Sequence, residues 1–188
     1  MIVALACVPG ATAPVEPDLP DDTAVADDAG ADDDARVRAL GGLPEGDSPA
    51  APPLLVRVEF AVDGDTFWST PDEGGADVKV RMIGIDTPEI AHEDPAECWA
   101  DEAWTETASI EGRLVWLTYD ADPFDDYDRT LAYVFRDATE DGFWNRRLAR
   151  RGFATEMSIA PNTSYAAEIA ADIDAARAED AGLWGNCR

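Results

Sequence analysis

The sequence predicts an α+β domain built on a small β-barrel and preceded by a disordered acidic linker. Three observations lead there. Large apolar residues are almost absent from Val8 to Pro53 and frequent from Leu54 on. Beyond that point five short apolar segments read as strands, at 54–62, from Thr66, around Val80, at 113–119 and at 130–135. Helical spacing is inserted among and after these strands, without the βαβ rhythm of a parallel sheet.

With 188 residues the chain accommodates one domain plus an appendage, divided here as 1–53 and 54–188. The formal net charge is −26, and both parts share it: residues 1–53 hold 11 acidic and 2 basic residues, residues 54–188 hold 29 and 12. Lys79 is the only lysine, against thirteen arginines. Such a composition excludes the electrostatic footprint of a basic nucleic-acid coat and suits solubility in salt.

Met1 to Cys7 is apolar and ends in Leu-Ala-Cys, like the close of a bacterial lipoprotein signal. It lacks a basic n-region and is too short for a complete signal, so it reads as the truncated end of one. The expectation is export, with Cys7 lipidated as a membrane tether. From Val8 to Pro53 the chain is Ala, Asp, Pro and Gly, too poor in apolar surface to offset the entropy of ordering. The acidic run 27–34 lacks the spacing of an EF-hand loop and reads as a solvated, self-repelling linker.

The folded part begins with strand 54–62, and Asp63-Gly64-Asp65 turns it into a returning strand, with Gly64 supplying conformational freedom. The next strand runs through Val80 to Ile85, and Pro88 forbids its continuation. Strand parity places Arg81, Ile83 and Ile85 on one face and Met82, Gly84 and Asp86 on the other, unless a bulge intervenes. Cys98 to Glu111 has helical spacing with acids early, as the helix dipole prefers. Phe143 to Arg151 is a second helix, which Gly152 terminates, and Thr163 to Ala181 a third; Phe153 to Asn162 reads as irregular. Arg146, Arg147, Arg150 and Arg151 form the only basic cluster, whose plainer reading is a solvated or acid-paired face. His92, the only histidine, lies in a polar loop and reads as structural.

Asp65, Asp86 and Glu89 with Arg81 and Arg129 place three carboxylates and two guanidinium groups on turns at strand ends. Hard divalent cations take carboxylate and carbonyl oxygens, and arginine forks match phosphate. Phosphodiester hydrolysis needs both.

The pieces Asp63-Gly64-Asp65-Thr66, Arg81-x-x-Gly84-Ile85-Asp86-Thr87-Pro88-Glu89, Glu97-Cys98-Trp99-x-x-Glu102-Ala103, Tyr127-x-Arg129-x-Leu131-Ala132-Tyr133 and Gly182-Leu183-Trp184 occur in order over 54–187. In these the chain resembles the staphylococcal nuclease (thermonuclease) family. The resemblance implies a five-stranded OB-type barrel with three helices, and a monomeric Ca²⁺-dependent nuclease acting on DNA and RNA with 3′-phosphate products. It implies that Asp65 and Asp86 give carboxylates, and Thr87 its carbonyl, to Ca²⁺. Glu89 would be the general base, Arg81 and Arg129 would hold the phosphate, and Tyr127 would contact the nucleotide.

The chain departs from that pattern in three ways. Met157 and Ile159 stand where relatives carry stacking tyrosines, Asp128 replaces a glycine, and the surface is acidic. The alternative function is a non-catalytic binding module of the same fold for protein or RNA, which would not need all five site residues. For an exported protein, the two cysteines of the folded part, Cys98 and Cys187, are expected to pair.

Overall fold

The structure is a computed structural model and describes residues 32–40, 52–91, 95–137, 139 and 141–187. Cys7 and His92 lie outside the described residues. β1 (Leu54–Ala61), β2 (Thr66–Pro71), β3 (Val78–Met82), β6 (Thr130–Phe135) and β5 (Leu114–Thr118) close into a barrel in that order. β3 and β6 run parallel, and the other neighbours are antiparallel. Period-2 alternation explains the closure, since Val56 and Val58 of β1 point inward, fully buried, while Arg57 and Glu59 between and beyond them do not. Phe67, Val80, Met82, Val115, Leu117 and Val134 complete that interior.

The strand expected to run unbroken from Val80 to Ile85 is interrupted. β3 ends at Met82, and a separate β4 (Gly84–Asp86) pairs with β7 (Thr155–Met157), within a segment expected to be irregular. Gly84 makes the break, because its φ of +84° lies in the left-handed region. A Cβ there would also stand 2.6 Å from Ile169 Cδ1. The backbone freed at the break is paired again: Ile83 N donates to Ala132 O (3.0 Å), and the buried Asn145 donates Nδ2 to Ile83 O (2.8 Å). Asn145 Oδ1 in turn accepts from Val134 N (2.9 Å).

The three expected helices are present as α2 (Ala100–Ala108), α3 (Trp144–Arg150) and α4 (Ala166–Ala178), and a short α5 (Leu183–Asn186) closes the chain. α2 secures the β1–β2 hairpin turn, with Thr107 Oγ1 donating to Gly64 O (2.5 Å) and Trp104 Nε1 to Ala61 O (3.2 Å). Gly64 serves that turn by lacking a side chain rather than by an unusual φ, since a Cβ would lie 2.7 Å from Thr87 Oγ1. α3 is held on two flanks. Arg146 and Arg150 reach Asp172 of α4, and Arg147 and Arg151 reach Glu106 of α2. The basic cluster is therefore an acid-paired face. Cys98 and Cys187 form a disulfide across 89 residues of sequence, as expected.

The linker expectation needs correction at residues 32–40. Residues 32–38 form a helix, α1, and Val37 is buried at 3 % exposure. Trp116 Nε1 donates to Val37 O (2.7 Å), and Asp33 and Asp34 pair with arginines of the barrel. One apolar residue and specific ion partners thus dock a segment whose composition alone predicts a solvated coil. No helix among the described residues is long and apolar enough to cross a membrane.

Candidate functional site

The break at Gly84 resolves the parity conflict. Because the chain changes direction after Met82, Arg81 and Asp86 meet on one side, with Arg81 Nη2 donating to Asp86 Oδ1 at 2.8 Å. The same guanidinium contacts Asp65 Oδ1 and reaches Met157 Sδ at 3.4 Å. Burial pulls the Arg81 guanidinium down from its ordinary value, against the opposing pull of Asp86.

Asp65 enters from the hairpin turn and is only 3 % exposed. Its Oδ2 accepts from Thr87 N (2.8 Å) and Thr87 Oγ1 (3.1 Å), and its Oδ1 from Thr66 Oγ1 (3.0 Å). Thr87 is thereby fixed behind Asp65, its side chain buried. Asp63, taken from sequence as a turn residue, is also buried and accepts from Asp65 N (3.0 Å). Burial raises the Asp63 carboxyl above its ordinary value, with Arg81 opposing.

Glu89 follows the Pro88 turn, and its backbone is held twice by Glu97: Glu89 N donates to Glu97 Oε2 (3.0 Å) and Glu89 O accepts from Glu97 N (2.9 Å). Partial burial pushes the Glu89 carboxyl above its ordinary value, and the charge of Asp63 pushes it further.

Arg129 stands at the entrance to β6. Asp125 takes its Nε (2.7 Å) and its N–H (2.9 Å), and the N–H of Tyr127 besides (2.9 Å). Burial opposes ionisation of Asp125, but these donors outweigh it and hold its carboxyl below the ordinary range. Arg129 is therefore ion-paired with a neighbouring aspartate, which orients its guanidinium. Asp128 adopts a φ of +59°, the left-handed conformation that glycine favours and aspartate tolerates.

Asp65, Arg81, Asp86, Glu89, Tyr127 and Arg129 line a single cleft of about 540 Å³, together with Asp63, Asp125, Met157 and Ile159. Thr87 lies behind this lining rather than in it. The sequence missed Asp63, Asp122, Phe124, Asp125 and Asp126 as cleft residues; the signal for Asp63 was its place beside Asp65. The cleft rim is apolar, with Phe124, Tyr127, Met157 and Ile159 all exposed.

Among the described residues, no three Asp, Glu, His or Cys side chains are arranged to ligate a metal. The Asp65 and Asp86 carboxylates are brought together on one cation, the Arg81 guanidinium. An all-oxygen pair of this kind suits a hard divalent ion, with further oxygens from a backbone carbonyl, water or phosphate.

Residues 79–186 match the family described as Staphylococcal nuclease homologue. The chain belongs to the staphylococcal nuclease family. It is 34 % identical over 129 residues to a thermonuclease of Staphylococcus intermedius, a match covering 68 % of this chain and 74 % of that one. The thermonuclease of Staphylococcus hyicus is 33 % identical over 132 residues, covering 69 % and 75 %. The SPbeta prophage-derived endonuclease YokF of Bacillus subtilis (strain 168) is 33 % identical over 137 residues, covering 69 % of this chain and 43 % of its own length. The barrel and its helices accord with that family membership.

Proposed function

We propose that this staphylococcal nuclease family member is an exported, Ca²⁺-dependent nuclease that hydrolyses DNA and RNA to 3′-phosphate products. The observation that carries this reading is the convergence of Arg81, Arg129, Asp65, Asp86 and Glu89 on one cleft. A non-catalytic binding module has no use for two arginine forks facing three carboxylates. The thermonuclease and endonuclease names of the relatives support hydrolysis of nucleic acid, and the disulfide suits an oxidising compartment.

Each residue has a chemical role. Asp125 occupies the Arg129 Nε and so turns its terminal nitrogens toward a phosphate, while Arg81 brings a second fork from the floor of the cleft. Together they offset the charge that builds on the phosphate oxygens as water attacks. Glu89 takes the proton of that water at its carboxylate, and its raised pKa makes it a stronger base than an ordinary glutamate. Asp65 and Asp86, with the Thr87 carbonyl, would hold Ca²⁺, which when bound supplies charge to polarise the phosphate. The apolar rim offers faces for unpaired bases. Stacking on an aromatic ring contributes about 1–3 kcal/mol per base, so with Met157 and Ile159 the ground-state grip on a nucleotide falls mainly to Tyr127 and Phe124.

Hydrolysis of denatured DNA, with calcium and with chelator, tests the reading in the parent and in Glu89→Gln. The expected outcome is cleavage that needs calcium, reduced by roughly 10²–10⁴ in the variant. Because partial desolvation and the charge of Asp63 oppose ionisation of Glu89, the variant should be no less stable than the parent at pH 7. A variant retaining more than about a tenth of the parent rate, set against that general-base range, would remove the role assigned to Glu89. Absence of cleavage by the parent would remove the nuclease reading.

A further inference from the structure

The arginines of the folded body divide by their partners. Those of the cleft and of α3 pair with acids of the body itself. Arg57, Arg113 and Arg136 do not: among the described residues their ion pairs are with α1 alone, although the charge of Asp72 also acts on Arg57. Arg57 Nη2 reaches Asp34 Oδ2 at 2.7 Å, while Arg136 Nη2 and Arg113 Nη1 reach Asp33 Oδ2 at 3.0 and 3.7 Å. Their side chains keep between 30 and 41 % exposure even so. Arg136 Nε is buried without a hydrogen-bond partner.

The three are neighbours in the sheet. Arg57 pairs across to Leu114, next to Arg113, and Phe135, next to Arg136, pairs across to Trp116. They form a basic strip over β1, β5 and β6 on a body with 29 acidic and 12 basic residues. β6 joins this strip to the cleft, because Arg129 precedes its first residue and Arg136 follows its last. At about 3.3 Å per residue the separation is roughly 23 Å, some seven phosphates of a strand stacked at about 3.4 Å each.

We propose that Arg57, Arg113 and Arg136 form a second contact surface for the phosphate backbone of a long single strand, and that α1 covers it in cis. Asp33 and Asp34 present to the guanidinium groups the anionic oxygens that successive phosphates would present. Val37 and its carbonyl bond from Trp116 anchor the cover. The proposal rests on the nuclease reading of the cleft and adds that substrate length matters: a strand of about four nucleotides engages only the cleft, and one of about twenty also displaces α1.

The test uses the full chain and its variant D33N/D34N/V37S. Fluorescence anisotropy with a labelled 20-nucleotide single strand in chelator reads binding without turnover. The variant should bind at least tenfold tighter at low salt, and its slope of log affinity against log salt should steepen by about 2, as three added single-strand phosphate contacts require. Adding R57Q/R113Q/R136Q should return both to the parent values, and a 4-nucleotide strand should bind all three proteins alike. Equal affinity and slope for the parent and D33N/D34N/V37S would overturn the proposal. So would a gain that survives loss of the three arginines. Cleavage of the 4-nucleotide strand by the parent with calcium reads the cleft separately, so failure there would fall on the nuclease reading alone.

Discussion

Gly84→Ala tests whether the strand break builds the site. Two costs can be read at that position. A side chain at φ +84° costs about 1–2 kcal/mol in the left-handed region. The new Cβ also meets Ile169 Cδ1 at 2.6 Å, and overpacking of this kind costs about 1–3 kcal/mol. The expected loss is therefore about 2–5 kcal/mol, which for a domain of this size lowers Tm by roughly 8–20 °C. Ile169→Val removes the clashing methyl at its own cost of about 0.5–1.5 kcal/mol. In that background Gly84→Ala should cost only the conformational part, about 1–2 kcal/mol. Urea unfolding of the two single variants and the double variant measures the coupling, and cleavage of denatured DNA should fall with Gly84→Ala, because Asp86 rides on β4. A single-variant loss under about 1 kcal/mol would refute the reasoning, being below the conformational cost alone; additive costs in the double variant would remove the Ile169 clash from it.

Asp125→Asn should free the Arg129 Nε and lower kcat more than it raises KM, and unchanged kinetics would return Asp125 to a mere turn residue. Cys98→Ser with Cys187→Ser opens a closure of 89 residues, and loop entropy sets the expected loss at about 4–5 kcal/mol; an unchanged urea midpoint would show that α5 is held without it. Asp120 is opposed in ionising by burial, yet donors from Ser164, Tyr133 and Ala121 hold its carboxyl below the ordinary 3.8. A carboxylate with a lowered folded pKa stabilises above its unfolded value, and that contribution fades as pH falls from there through the folded value. Unfolding free energies measured from pH 7 downward should thus show Asp120→Asn less stable than the parent at pH 7, by about 2–3 kcal/mol, with the gap narrowing below pH 3.8. A gap that does not narrow with acid would exclude the ionic origin.

Local pattern was enough for the barrel. Alternation around Val56 and Val58, the Asp63-Gly64-Asp65 turn and the stop at Pro88 each act within a few residues; Asp65, Arg81, Asp86, Glu89 and Arg129 were legible as site residues, as was the disulfide, whereas Asp63 and Asp125 of the cleft were not. What pattern could not reach was decided by partners distant in sequence. Between Val78 and Ile85 the one local mark of a division between β3 and β4 is Gly84, and where β4 goes is set by β7, by Ile169 and by the amide of Asn145, 62 residues beyond Ile83. Residues 155–157 pass for a loop because a three-residue strand has no period to read. α1 has one buried apolar side chain, and its acids gain meaning only from arginines on strands that follow much later.

The two carboxylates that clasp α3 make its tolerance to substitution lopsided. Glu106 and Asp172 each serve a pair of arginines four residues apart on one helix. Exchange of any one arginine leaves its neighbour in position to keep the clasp closed, so the arginines back one another up. Losing either acid would take a shared partner from two arginines at once and leave two like charges one turn apart, an arrangement that destabilises a helix by about 0.2–0.5 kcal/mol. In a chain with 40 acidic residues and 14 basic ones, the two charges that each answer a pair of arginines are therefore drawn from the abundant sign.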